Sequence, residues 1–269
     1  AVGSWDCSIY VVALETGRIV QQLTCGHDDA VSSLALSSGR APLLVSGSWD
    51  GCVKVWAMSE TAFAPTPLNC LADIESEVKQ VHVTSDGSIC AALSSNGSCS
   101  MWDVRSGCSM MDTRDKSRVP RASTVQLLSS TSTHTPLLAL ATLDDALDDA
   151  CCGVQLWDVR HMRKPCVLGG QLARGQASVL KTDGLSWVAA TTLGEVWTGF
   201  FSTDSCLLPA GEGVAVKHDS APHGDAISCL DVVCVTASPP PLPAAAVADV
   251  SSCMIMMTGS LDGSAIIWR

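Results

Sequence analysis

The sequence predicts an all-β protein of repeated four-stranded antiparallel sheets, and three observations carry that expectation. The first is a self-match: Gly3-Ser-Trp-Asp-Cys-Ser-Ile-Tyr-Val-Val12 is echoed by Gly47-Ser-Trp-Asp-Gly-Cys-Val-Lys-Val-Trp56. Internal similarity at a period of about 40 to 45 residues is the mark of stacked repeats. The second is length, because 269 residues hold about six units of that size. The third is Thr84-Ser-Asp-Gly87, a turn sequence suited to a hairpin between two strands. A hydrophobic content of 47% supplies an ample core for one large domain.

The second copy closes a longer pattern, from Gly26-His27 through Val31-Ser-Ser-Leu34 to Leu44-Val-Ser-Gly-Ser-Trp-Asp50 and Trp56. This pattern resembles a WD40 repeat, one blade of a β-propeller. The resemblance implies a single WD40 propeller domain over residues 1–269. Aligned on the strand that ends in Trp, the traces fall at Val12, Trp56, Trp102, Trp157, a degenerate position near Gly199, and Trp268. The first trace begins inside its second strand, and the second and last are the best preserved. Ser59 to Pro67 then reads as a connection between blades. In the third, Asn96 replaces the expected Asp and Ile74 the expected His, while Thr84 to Gly87 keeps the first hairpin. In the fourth, Asp144-Asp-Ala-Leu-Asp-Asp149 lengthens a hairpin into an acidic loop. The fifth is recognisable only from Ser186 to Phe200. In the sixth, Pro222-His223 and Gly259-Ser-Leu-Asp262 answer to Gly26-His27 and Gly47-Ser-Trp-Asp50, with Thr236 to Ser252 inserted as a Pro-rich surface loop.

Two strands are expected to be absent at the front and one at the back, leaving the first and last blades incomplete. Open sheet edges are normally covered, so the chain is expected to be a fragment of a seven-bladed ring.

The formal net charge of −11 argues against nucleic acid, which needs clustered Lys and Arg to displace counterions from phosphates. Fourteen cysteines are scattered without a Cys-x-x-Cys, and many, such as Cys90, Cys99 and Cys229, sit in apolar strand-like runs. They are expected to be mostly small core hydrophobes in a reducing compartment. Cys151-Cys152 has no His or second Cys pair at ligand spacing, so no metal and no cofactor are expected. The apolar runs are far too short to cross a membrane as a helix.

His27, Ser46, Asp50 and Trp56 contain the ingredients of a Ser/His/Asp hydrolase. In WD40 repeats, however, the matching residues form a buried hydrogen-bonded chain, and the set recurs as His223, Thr258, Asp262 and Trp268. A device that repeats per blade is structural, and no nucleophile turn of the Gly-x-Ser-x-Gly kind is present. Neither catalysis nor a small-molecule substrate is expected.

Trp5 and Trp49 occupy the position before the turn Asp, which in WD40 propellers lies on the narrow face around the central channel. Aromatic residues on a solvent-facing rim are typical binding anchors. The same turn position gives Ser95 and Leu261, and the residue after the first core position of the channel-lining strand gives Ser32, Lys79 and Ser228. These seven form the expected site for a protein or peptide partner, with Asp28 and Asp29 favouring a basic or amide-rich one. Basic clusters at Arg114, Lys116, Arg118 and Arg121, and at Arg160, Arg163 and Lys164, read as solvated connections between blades.

Ser4-Trp-Asp6, Gly26-His-Asp-Asp-Ala-Val-Ser32, Ser48-Trp-Asp50, Val53-Lys-Val-Trp56, Leu71-Ala-Asp-Ile-Glu75 and Met101-Trp-Asp103 together resemble the C-terminal propeller of BEACH proteins, of the type associated with neutral sphingomyelinase activation. That resemblance implies PH-like and BEACH domains ahead of the propeller, and a cytoplasmic, peripherally membrane-associated scaffold in membrane traffic or receptor signalling. An alternative comes from Trp102-Asp-Val-Arg105 and Trp157-Asp-Val-Arg160, which resemble the Trp-Asp-x-Arg box of cullin-4 ligase substrate receptors. The Asp expected six residues before each Trp is Asn96 or Cys151.

Overall fold

Turn chemistry sets the strand boundaries. Gly51, Gly97, Gly194 and Gly263 adopt φ of +79°, +85°, +78° and +82°, in the left-handed region that costs glycine nothing. Each reverses the chain within a sheet, after Trp49-Asp50, Ser95-Asn96, Thr192-Leu193 and Leu261-Asp262. Cys7 holds the matching place after Trp5-Asp6, at φ +67°.

The computed structural model describes residues 1–24, 26–39, 41–59, 62–71, 74, 76–112, 121–129, 136–143, 152–159, 167–172, 176–182, 186–200, 215–217, 223–235 and 253–268. The described residues form six antiparallel sheets in chain order. The first holds β1 (Val2–Gly3), β2 (Ile9–Val12) and β3 (Ile19–Leu23). The second holds β4 (Val31–Leu36), β5 (Leu43–Ser48), β6 (Val53–Ala57) and β7 (Asn69–Leu71), and the third β8 (Val78–Val83), β9 (Ile89–Ser94), β10 (Cys99–Asp103) and β11 (Ser109–Asp112). The fourth has β12 (Ala122–Ser129), β13 (Pro136–Leu143), β14 (Cys152–Asp158) and β15 (Val167–Leu172). The fifth has β16 (Ala177–Thr182), β17 (Ser186–Thr191), β18 (Val196–Phe200) and β19 (Ala215–Lys217), and the last β20 (Ile227–Val235), β21 (Cys253–Ser260) and β22 (Ala265–Trp268).

Inner strands of successive sheets stand side by side, β4 against β8, β8 against β12, β12 against β16 and β16 against β20. This is the arrangement of propeller blades. Each inner strand carries a bulge at its second residue, between Val31 and Ser33, Val78 and Gln80, Ala122 and Thr124, Ala177 and Val179, and Ile227 and Cys229. An extra residue bends the strand and re-aims its side chain. Here that side chain is Ser32, Lys79, Ser123, Ser178 or Ser228.

The core is divided between the blades. One cluster joins Val45, Val53 and Val55 of the second sheet to Val78, Val81 and Cys90 of the third, and the next joins Leu93 and Met101 to Val125 and Leu138. Others seat Leu156 against Trp187 and Val188 against Ile227. Burying one such side chain stabilises by about 1.5 to 3 kcal/mol, so each sheet depends on its neighbour.

Four sequence expectations are corrected. Ser59 to Pro67 joins β6 to β7 of one sheet and not two blades, because the sequence repeat is offset by one strand from the sheet. The segment 160–166 likewise lies between strands of one sheet, β14 and β15. The first sheet has three strands and not two, since the strand expected to be absent beside β2 is present as β1. Of the seven cysteines whose side chains are described, only Cys90 and Cys99 are buried, and Cys229 is exposed. Ser33 and Gln80 stand where Cys229 stands and reach the next inner strand, whereas β20 is in the last sheet.

The degenerate fifth trace has a packing explanation. Leu44 pairs with Trp56 across β5 and β6, and Trp187 pairs with Gly199 across β17 and β18. The indole has crossed to the neighbouring strand, and glycine makes room for it. A Cβ on Gly199 would lie 2.4 Å from the Trp187 ring. Gly199→Ala is therefore expected to cost about 1 to 3 kcal/mol through overpacking. Chemical denaturation reads this, and an unchanged midpoint would contradict it.

Candidate functional site

The polar set of the second sheet is a continuous chain. Trp56 Nε1 donates to Ser46 Oγ at 2.9 Å. Ser46 Oγ meets His27 Nε2 at 2.7 Å, and His27 Nδ1 meets Asp50 Oδ2 at 2.9 Å. A carboxylate only accepts, so Nδ1 carries the proton and Nε2 accepts from the serine hydroxyl. Asp50 also accepts the Asp28 and Cys52 amides, tying the entry of β4 to the turn before β6.

Serine, histidine and aspartate thus stand in the order of a catalytic triad. The surroundings remove that chemistry: Ser46 is 0% exposed and its oxygen is held by Trp56, so no substrate carbonyl reaches it. Burial lowers the pKa of His27, the bonds and charge of Asp50 only partly offsetting it. Burial alone would raise the Asp50 carboxyl, but the Cys52 and Asp28 amides and His27 outweigh it and hold it low.

The last sheet repeats the device with one change. His223 Nε2 meets Thr258 Oγ1 at 2.8 Å, but Nδ1 meets Ser264 Oγ at 2.8 Å, leaving Asp262 Oδ2 at 3.7 Å. Asp262 instead accepts the Gly224 amide. Ser264 is thus a member that the sequence pattern left out, since Gly-Ser after the turn Asp looks like generic turn composition. Trp268 ends β22, and its side chain lies outside the described residues.

His82 on β8 is a second depressed histidine, its pKa pushed down to about 4 by burial, with Lys181 adding to the effect. An unfolded histidine takes up a proton near pH 6.5, so below that pH the unfolded chain binds more protons than the folded one. The stability held by His27 and His82 is present above about pH 6.5 and is lost as the pH falls toward 4. The denaturation midpoint is expected to drop from pH 7 to pH 4.5, with part of that slope removed in His82→Gln. A flat profile would contradict it.

The expected partner residues divide into two groups. Ser32 Oγ donates to Gly47 O and, at 2.6 Å, to Val78 O on the next inner strand. Lys79 Nζ donates to Ser123 O at 2.8 Å, and Ser178 Oγ to Ile227 O. Ser228 Oγ donates to Gly259 O of its own sheet. These bulge residues fasten strand to strand, although Ser32, Lys79 and Ser228 remain exposed. Ser123 and Ser178, which the degenerate repeats concealed, share their positions.

Trp5, Trp49 and Leu261 form the second group, 81%, 40% and 69% exposed. The two indoles meet edge to face, with centroids 5.2 Å apart and planes at 66°. Beside Trp49 opens a depression of about 410 Å³ lined by Trp49, Asp50, Gly51, Ile74, Ser76, Glu77 and Ser95. Ser95 Oγ bonds Ser76 Oγ across it at 2.6 Å. Ser76 and Glu77 were not singled out in the sequence, because the connection before β8 has Ile74 where the second and sixth repeats have His27 and His223.

Arg105 is exposed just past β10, and Arg121 Nε donates to Asn96 O at 2.8 Å. Arg114, Lys116, Arg118, Arg160, Arg163, Lys164, the acidic loop 144–149 and the Pro-rich loop 236–252 lie outside the described residues. Among the described residues no three His, Cys, Asp or Glu side chains gather to hold a metal ion.

The successive sheets and the repeated polar chain have the arrangement of β-propeller blades. Residues 17–57 match the WD domain, G-beta repeat, the segment that carries His27, Ser46, Asp50 and Trp56. The chain is similar to a periodic tryptophan protein 2 homolog of Schizosaccharomyces pombe, 33% identical over 39% of this chain and 12% of that protein. It is also similar to small ribosomal subunit protein RACK1 of Caenorhabditis elegans, 34% identical over 30% of this chain and 24% of that protein. BEACH domain-containing protein B of Arabidopsis thaliana is 26% identical over 39% of this chain and 5% of its own length. The matched region thus spans about a quarter or less of each of these relatives. Their diversity points to a repeat used for protein interaction and not to one chemistry.

Proposed function

We propose that this chain is a non-catalytic interaction scaffold, the propeller of a BEACH-type protein in membrane traffic or receptor signalling. It works in the cytoplasm and is brought to membranes by other parts of its protein. The scaffold reading is carried by the exposed Trp5–Trp49 pair, set where neighbouring blades present their turns and flanked by a depression that reaches Ser95. Protein and peptide partners dock there, with Leu261 on the same rim. The polar atoms of Ser32, Lys79 and Ser228 hold strands together and leave the anchoring to the indoles.

The motif set from Ser4 to Asp103 and the likeness to the Arabidopsis protein support the BEACH part. The coding sequence upstream of Ala1 tests it. A BEACH domain there is the expected result, and a different domain would remove the BEACH reading while leaving the scaffold reading intact. The cullin-4 alternative rests on the exposed Arg105. Retention of the ligase adaptor by the wild-type chain, lost in Arg105→Ala, would promote it, and no retention is expected.

A further inference from the structure

Of the tryptophans whose side chains are described, all but Trp5 and Trp49, namely Trp56, Trp102, Trp157, Trp187 and Trp197, are buried. Among them the exposed indoles are therefore concentrated at one place on the rim, on two adjacent turns. Planes inclined at 66° form a corner, and each ring face carries the negative end of a quadrupole. Such faces attract a cation by about twofold to thirtyfold in affinity, and tryptophan does so best.

The surroundings add charge of the same sense. Asp6 follows Trp5 directly and Asp50 follows Trp49, while Asp28 and Asp29 lie in the connection leading into β4. The Cys7 thiol, two residues past Trp5, is pushed up by burial and then by the charges of Asp29, Asp6, Asp28 and Asp50. Some of these carboxylates are engaged: Asp6 by the Tyr10 hydroxyl, Asp29 by the Ala30 amide, and Asp50 by His27. Asp28 and, in the depression beside Trp49, Glu77 accept no hydrogen bond on their carboxylates among the described residues. The neighbouring Lys54 donates its ammonium to Gly26 O and forms no ion pair with these carboxylates among the described residues.

We propose that the Trp5–Trp49 corner receives an arginine side chain from an extended basic segment of a partner protein, with Asp28 and Glu77 pairing the charge. Guanidinium fits better than ammonium. It is flat, weakly hydrated and stacks on an indole while its in-plane N–H groups stay free for carboxylates. The inference rests on the rim being the docking face and adds the chemistry of what docks.

The test uses the whole chain, labelled with nitrogen-15, and the peptide acetyl-Gly-Arg-Gly-Arg-Gly-amide. Indole N–H signals of Trp5 and Trp49 are identified with Trp5→Phe and Trp49→Phe. Both are expected to shift saturably, with a Kd of about 1 mM or tighter. Affinity falls about tenfold in Trp5→Ala and severalfold in Asp28→Asn and Glu77→Gln. The lysine peptide binds more weakly, and the citrulline peptide, equal in shape but uncharged, does not bind.

Equal shifts with the citrulline peptide would overturn the cation inference while leaving the rim as a docking face. Shifts confined to other tryptophans, or none at about 1 mM, would overturn it as well. Trp5→Ala must melt with the wild type for the comparison to stand. Should it unfold, Trp5→Phe, which keeps the packing and weakens the π face, is expected to bind about threefold more weakly, and unaltered binding there would overturn the inference.

Discussion

Ser46→Ala is expected to cost about 2 to 4 kcal/mol, because it strands two buried partners, the Trp56 indole N–H and His27 Nε2, at about 1 to 3 kcal/mol each. Ser46 is the middle link, 0% exposed, accepting from one neighbour and donating to the other. For a chain of this size the melting temperature should fall by roughly 5 to 15 °C. Asp50→Ala should cost less, since Asp50 is partly exposed and water can replace some of its bonds. A chain in which Ser46→Ala melts with the wild type would show that the polar set is not what joins the repeat. Generic ester substrates should go unhydrolysed by the wild type, and hydrolysis abolished by Ser46→Ala would restore the triad reading.

Much of the fold was legible because WD40 repeats write their geometry in few residues. The Gly at the left-handed turn, the Asp before it and the Trp at the end of the third strand sit at fixed offsets, so Gly47 to Trp56 announces two strands and their register. Legibility failed where packing found another solution. Gly199 looked like a lost tryptophan, yet the ring sits opposite, at Trp187, and single-strand alignment cannot see an exchange across a strand pair. The grouping of Ser59 to Pro67 failed for a different reason. Sequence periods start wherever the best motif starts, while a sheet is bounded by hydrogen bonding, and the two differ here by one strand.

Site legibility divides along similar lines. Position in the repeat located the rim residues Trp5 and Trp49, and the polar set of the second sheet followed from its motif. What sequence offsets could not reveal was which exposed residues are already engaged. Ser32 and Lys79 sit at the expected positions, but bulges in β4 and β8 turn them onto the carbonyls of Val78 and Ser123. Ser264 taking the place of Asp262 on His223 is another such exchange. A carboxylate and a hydroxyl on turn residues within reach of one imidazole are indistinguishable as its partner until distances are known.

Trp49→Ala is expected to weaken partner binding by about 30-fold or more, the effect of losing a central aromatic anchor. Trp49 is 40% exposed, and its ring contacts Trp5, itself almost wholly in solvent, so truncation leaves little cavity in the core. The direct measurement is quantitative capture of cellular proteins on the wild-type chain and on Trp49→Ala, side by side with the melting curves of both. The central claim predicts that proteins held by the wild type fall by that factor on the variant while the two chains melt within about 2 °C of each other. Capture that persists on a Trp49→Ala chain that melts early would contradict it, making Trp49 a packing residue and placing the docking surface elsewhere.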